Sequence, residues 1–162
     1  TQQPVATDLR MIAAFLDISG ELERIGDYAK GIAIITTYIG SEPLLKPLVD
    51  IPTMATVASD MLQDSLDAFI SQDETAARQI PLRDDEVDAL YNIVHRDLLT
   101  VMLEHPDKID QANYLLWAAH NLERAADRVT NICERIVFTV TGEMVELDGY
   151  SGQAQQAGAG HR

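Results

Sequence analysis

Residues 22–33 read LERIGDYAKGIA, and residues 122–133 read LERAADRVTNIC. Leu22/Leu122, Glu23/Glu123, Arg24/Arg124, Asp27/Asp127 and Ile32/Ile132 are identical, at a constant offset of 100 residues and with no gap. Self-similarity at a fixed spacing marks a duplicated supersecondary unit, here with a repeat of about three helices. Each copy sits inside a long run with helical periodicity. The first run carries Met11, Phe15, Ile18, Leu22, Ile25, Ala29, Ile32 and Thr36 as one stripe. Leu9, Ile12, Ala13, Leu16 and Gly20 form a second stripe on roughly the opposite side. A helix apolar on two sides is sandwiched between neighbours.

Working outward, four helices are predicted. The first runs from Asp8, read as an N-cap, to Ile39 and stops at Gly40. SEPLLKPLVDIP at 41–52 is a proline-rich connector that packs a few leucines. The second spans Thr53–Gln72, with Met54, Val57, Ala58, Met61, Ser65, Ala68 and Phe69 on one side. The third spans Glu74–Leu103, with Ala77, Ile80, Asp84, Val87, Tyr91, Val94, Leu98 and Val101 in seam and a kink or restart at Pro81. The fourth spans Asp107–Val140, with Leu115, Ala119, Leu122, Ala126, Val129, Cys133, Ile136 and Val140 along its core stripe. Short connections favour antiparallel neighbours, so the expectation is an all-α, up-and-down antiparallel bundle. Its organisation would be the last helix of one repeat with its connector (1–50), a complete three-helix repeat (51–141) and a flexible tail (142–162). Two helices that would complete the first repeat do not occur in the sequence. The open stripes of the first helix would then be an association surface, covered by further chain or by a second copy, so a homo-oligomer is one expectation.

Composition excludes several classes of function. Among 162 residues, 46% are hydrophobic and 6% aromatic, and 12 basic residues stand against 26 acidic ones for a net charge of −14. That balance argues against nucleic-acid binding and against electrostatic attachment to an anionic membrane, since both need a basic face. It suits metal cations or basic protein partners. No apolar run approaches the length of a membrane span, so no membrane insertion is expected, and no signal peptide is visible. A single cysteine, Cys133, forbids an internal disulfide and fits a reducing, cytoplasmic setting; on the core stripe it reads as a small buried hydrophobe.

The acidic residues carry the chemistry. Glu23 and Asp27, Asp84 and Asp88, and Glu123 and Asp127 are three pairs at one-turn spacing. Like charges so placed destabilise a helix by a few tenths of a kcal/mol and invite a cation. The ordinary alternative is a solvated face paired with Arg24, Lys30, Arg124 and Arg128, but duplication at matching positions weighs against decoration. If the third and fourth helices are adjacent, Asp84, Asp88, Glu123 and Asp127 can surround one site whose hard oxygens suit Mg²⁺, Mn²⁺ or Fe. His120 and Asn131, one turn to either side, are conceivable extra ligands, although such a histidine is more often a surface residue. His95, His105 and His161 have no partner spacing. No catalytic residue is assigned, because no nucleophile has a base–orienter set and no glycine-rich phosphate loop follows a strand. A ferritin-like di-iron enzyme would need two Glu-x-x-His motifs, and only His-x-x-Glu at 120–123 occurs. A metal-free helical scaffold is the remaining alternative.

The chain resembles the PhoU family of phosphate-transport regulators. The resemblance rests on QQPVATDLR at 2–10, ISGELERIGDYAKGIA at 18–33, RDDEVDALY at 83–91 and NLERAADRVTNICERIVF at 121–138, and covers residues 1–147. It implies two similar three-helix bundles and E/D-x-x-x-D motifs holding Mg, Mn, Fe or Zn at Glu23, Asp27, Asp84, Asp88, Glu123 and Asp127. It further implies a cytoplasmic, non-enzymatic negative regulator of phosphate uptake and phosphate-starvation signalling. Its implied partners are the phosphate ABC importer's ATPase and a sensor histidine kinase. Two departures from the family stand out: the two opening helices, and the unbroken helix that Pro81 interrupts here.

Overall fold

The computed structural model describes residues 3–41, 43–44 and 48–147. Five α-helices account for most of them: α1 (Gln3–Ile39), α2 (Asp50–Ser71), α3 (Glu74–Gln79), α4 (Asp84–Glu104) and α5 (Ile109–Thr141). Short 3₁₀ turns, Ile80–Arg83 and Pro106–Lys108, join α3 to α4 and α4 to α5. No strand occurs among the described residues.

Proline explains most boundary differences. Helix α1 starts at Gln3, not at Asp8, which lies exposed inside the helix. Pro4 falls in the first turn, where a missing N–H costs nothing and a fixed φ favours the helix. Pro52 does the same for α2, which begins at Asp50 and not at Thr53. Pro81 splits the third predicted helix as expected, into α3, a 3₁₀ turn and α4. Helix α3 itself starts from a cap: the Asp73 carboxylate accepts from the Ala76 N–H at 2.9 Å, with Gln72 left-handed at φ 55°. Asp73→Ala is expected to lower stability by about 1 kcal/mol, read as a lower urea midpoint. Gly40 and Gly142, at φ 62° and 80°, end α1 and α5 as predicted.

The core lies between α2, α4 and α5. Met54, Met61, Val87, Leu98, Ala126, Val129, Cys133 and Ile136 are buried there, on the faces that periodicity assigned to them. The backbone of α1 approaches α5 alone. Arg10 lies beside Gly142, Asp17 beside Arg135 at 3.4 Å, Glu21 beside Asn131 at 3.3 Å and Tyr38 beside Tyr114. Residue numbers rise on one helix as they fall on the other, so α1 and α5 are antiparallel. The repeat offset converts the Glu21–Asn131 pair into Asn121–Gly31, and Asn121 does pack on Gly31, where a Cβ would stand 2.9 Å from its Nδ2. An approximate two-fold axis therefore relates the two helices, at the level of Gly26 and Ala126.

Symmetry makes the difference between the copies plain. On α5 the face carrying Leu115, Ala119 and Ala126 is sealed by α2 and α4. The equivalent residues on α1, Phe15, Ser19 and Gly26, are exposed. Phe15, expected in the core stripe, is 60% exposed, and Val5, Leu9, Ile12 and Leu16 are exposed with it. The α5-facing stripe of α1 is instead Met11, Ala14, Ile18, Leu22, Ile25, Ile32 and Ile35, all buried or half-buried. A Cβ at Gly20 or Gly26 would meet no atom within 4 Å. Alanine at either position is thus expected to stabilise the chain by about 0.5–1 kcal/mol through helix propensity alone, again read from the urea midpoint.

The first residues after α5 are packed. Val145 and Leu147 pack against the core, and the Leu147 N–H donates to Glu134 Oε1 at 2.9 Å. The part of the predicted flexible tail from 148 to 162 lies outside the described residues, as do Glu42 and residues 45–47 of the connector.

Candidate functional site

Asp84, Asp85 and Glu86 form the first turn of α4, where the helix dipole favours negative charge. One turn on, Asp88 follows Asp84 on the side facing α5. Because α5 runs antiparallel to α4, its Glu123 and Asp127 come down the same groove, with the Tyr91 and His120 rings 6.1 Å apart closing one end. The structure thus brings four of the six predicted carboxylates to one place.

Electrostatics in the groove are repulsive. The Asp84 carboxyl is pushed up to about 7 by burial first, then by Asp88, Asp127, Glu123 and Asp85. Asp88 is raised by burial, Asp127 and Asp85. Glu123 is raised by burial and Asp127, against a lowering influence of His120. Asp84 Oδ1 and Glu123 Oε2 are buried without a hydrogen-bond partner. Among the described residues, however, no three His, Cys, Asp or Glu side chains converge closely enough to hold an ion. The reason is visible on α5: Asp127 Oδ2 turns to Arg124 Nη1 at 3.2 Å, and Glu123 Oε2 lies 3.4 Å from His120 Nδ1. Each acid is paired with a cationic or titratable neighbour from its own helix.

Glu23 and Asp27 lie elsewhere. Both are exposed on the side of α1 turned away from α5, and no described helix brings a facing carboxylate to them. His120 is exposed beside Glu123, and Cys133 is fully buried with its thiol pushed up to about 12 by burial and Glu134. A thiol so placed is inert. His161 lies outside the described residues.

A polar cavity of about 280 Å³ opens beside the groove, lined by Asp84, Asp127, Arg128, Thr130 and Asn131. A network from α1 forms behind it: Glu21 Oε2 accepts from Asn131 Nδ2 and stands 3.7 Å from Arg128 Nη1. Sequence reading placed Arg128 beside the acids of its own helix and overlooked Glu21 and Thr130. No signal in the sequence pointed to Glu21, because the repeat leaves open the register at which two antiparallel helices pair.

The fold defines a class, all-α up-and-down helical bundles, here with an acidic groove between α4 and α5. The chain belongs to the PhoU family; the family model, described as PhoU domain, matches residues 1–36 and 51–136. Three proteins named phosphate-specific transport system accessory protein PhoU homolog illustrate the likeness. Those of Zymomonas mobilis, Aquifex aeolicus and Caulobacter vibrioides are 39%, 40% and 43% identical to it over 142, 144 and 145 residues. The alignments cover 88%, 89% and 88% of this chain but only 60%, 65% and 62% of those relatives. The chain thus spans about three fifths of the length of the curated relatives it matches. Among solved structures, the phosphate transport system regulatory protein PhoU from Streptococcus pneumoniae superposes with a TM-score of 0.80 at 30% identity, covering 87% of this chain and 67% of that one. PhoU from Pseudomonas aeruginosa superposes with 0.81 at 33%, covering 88% and 69%.

Proposed function

We propose that this chain serves in a metal-binding regulator of phosphate uptake, restraining transport and phosphate-starvation signalling through protein contacts and not through catalysis. The observation that carries the reading is the α4–α5 carboxylate groove on a fold shared with phosphate-transport accessory proteins. Asp84, Asp88, Glu123 and Asp127 would hold a hard cation once their side chains turned toward one another: two of their oxygens are buried without a hydrogen bond, and their mutual repulsion is what a divalent charge relieves. When bound, the ion supplies that neutralisation; Mg²⁺, Mn²⁺, Fe or Zn²⁺ all suit the role. Asp127 and Glu123 must then leave Arg124 and His120. Glu23 and Asp27 form the matching rung on α1, and a facing partner for them would come with whatever covers the exposed face of α1, a second copy or further chain. No described helix is long and apolar enough to cross a membrane, which accords with a cytoplasmic partner of membrane-bound machinery. The partners named by this reading are the phosphate importer's ATPase and a sensor histidine kinase. Affinity capture with tagged protein from phosphate-replete cells tests it. Recovery of the ATPase or the kinase is expected, and capture of neither by the intact protein overturns the regulatory reading.

A further inference from the structure

We infer that Tyr38, Tyr114 and Trp117 form a docking surface for an arginine-bearing segment of a partner protein, at the end of the bundle where α1 stops and α5 begins. No ion between α4 and α5 is needed for it. The three rings make a ladder across two helices: Tyr38 and Tyr114 have centroids 5.5 Å apart with planes tilted by 35°, and Tyr114 meets Trp117 edge-on at 6.0 Å. Tyr38 is 60% exposed and Trp117, the chain's single tryptophan, 51%; Tyr114 is half-buried between them. Single exposed apolar side chains are ordinary, but these rings are ordered against one another and still face water. Such amphipathic rings are the usual anchors of protein interfaces. The helix pairing does not demand the ladder. The two-fold axis carries Tyr38, Tyr114 and Trp117 to Phe138, Ala14 and Asp17, and there the crossing is closed by Ala14, 1% exposed, with Asp17 paired to Arg135.

Charge selects the occupant. Asp110, Tyr114 and Trp117 stand at i, i+4 and i+7 on one face of α5. Asp110 is exposed, as are Asp107 and Glu104 just before it. Helices α1 and α4 both end here, and neither carries a basic residue in its last turn, so the negative ends of two helix dipoles add to the three carboxylates. Lys108, the basic residue of the α4–α5 turn, is half-buried and has interactions of its own. A guanidinium suits both halves of such a surface, because it stacks on an aromatic face, best on tryptophan, while its N–H groups pair with carboxylates.

Trp117 reports occupancy by its own fluorescence, since no other tryptophan occurs. Titrating the intact chain with a hexa-arginine amide is expected to change Trp117 emission saturably, and a glycine–serine peptide of equal length to leave it unchanged. Tyr38→Ala is expected to weaken the peptide about two- to fivefold, the worth of an exposed cation–π contact, while Tyr38→Phe, which keeps the ring, stays near wild type. Asp110→Asn should weaken it about twofold, and Asp8→Asn, at the opposite end of α1, should not. All three positions are exposed, and circular dichroism confirms that each variant folds. An unchanged Trp117 emission overturns the inference, as does equal affinity for wild type and Tyr38→Ala. Equal losses in Asp8→Asn and Asp110→Asn also overturn it, because net charge alone would then hold the peptide. A blue shift with phosphatidylcholine vesicles and none with the peptide overturns it in favour of a lipid surface.

Discussion

Met61→Ala is expected to cost about 2–5 kcal/mol of folding stability, the range for emptying a methionine-sized volume in a closed core. Met61 is fully buried at the middle of α2, in the cluster shared with α4 and α5. The α4 and α5 residues of that cluster are themselves buried on closely packed helices, so little collapse into the vacancy is available. Phe15→Ala supplies the contrast: a larger side chain on α1, yet exposed, with an expected effect within about 0.5 kcal/mol. Urea denaturation of both variants measures the difference. Comparable losses would mean that the α1 face is as well covered as the core, against the packing described above.

Asp84→Asn is expected to act in the opposite direction. The folded Asp84 carboxyl titrates at about 7 and the unfolded one near 3.8, so the folded chain keeps a proton that the unfolded chain has released. Its contribution to stability is fully present below the unfolded value and is lost as pH rises through about 7. Asparagine keeps the shape and cannot ionise. The variant should therefore exceed wild type at mildly alkaline pH by about 1–2 kcal/mol, discounted for the water that reaches the groove, and match it in acid. Urea midpoints of both proteins across that pH range measure it. Equal pH profiles would mean that Asp84 is neither desolvated nor crowded by the other carboxylates as its placement requires.

Helix number, core faces and the break at Pro81 were legible because each rests on local rules: periodicity, proline chemistry and glycine caps. The faces of α2 and α5 came through residue by residue, from Met54 to Ala68 and from Leu115 to Ile136. Phe15 did not, since its alternation fits a core stripe and only tertiary context shows that no helix lies against it. Helix starts were late at Asp8 and Thr53 because proline was treated as a breaker where, in a first turn, it is a starter. Of the candidate site, the pairs at one-turn spacing and the adjacency of α4 with α5 were readable. The pairing of Asp127 with Arg124 and of Glu123 with His120 was not, because rotamer choice leaves no trace in spacing. Glu21 and Asn131 meet through the α1–α5 pair, whose register is a relation between distant segments that a single pass along the chain does not reveal.

Scanning calorimetry at neutral pH, with and without Mn²⁺, on wild type and on the Glu123→Ala, Asp127→Ala double variant, bears most directly on the acidic groove as a cation site. At a hundredfold excess over the dissociation constant, binding adds about 2.7 kcal/mol, which for a chain of this size raises the melting temperature by about 5–10 °C. Wild type is expected to show that rise and the double variant to show none. An unchanged wild-type transition, or an equal rise in both proteins, would contradict it.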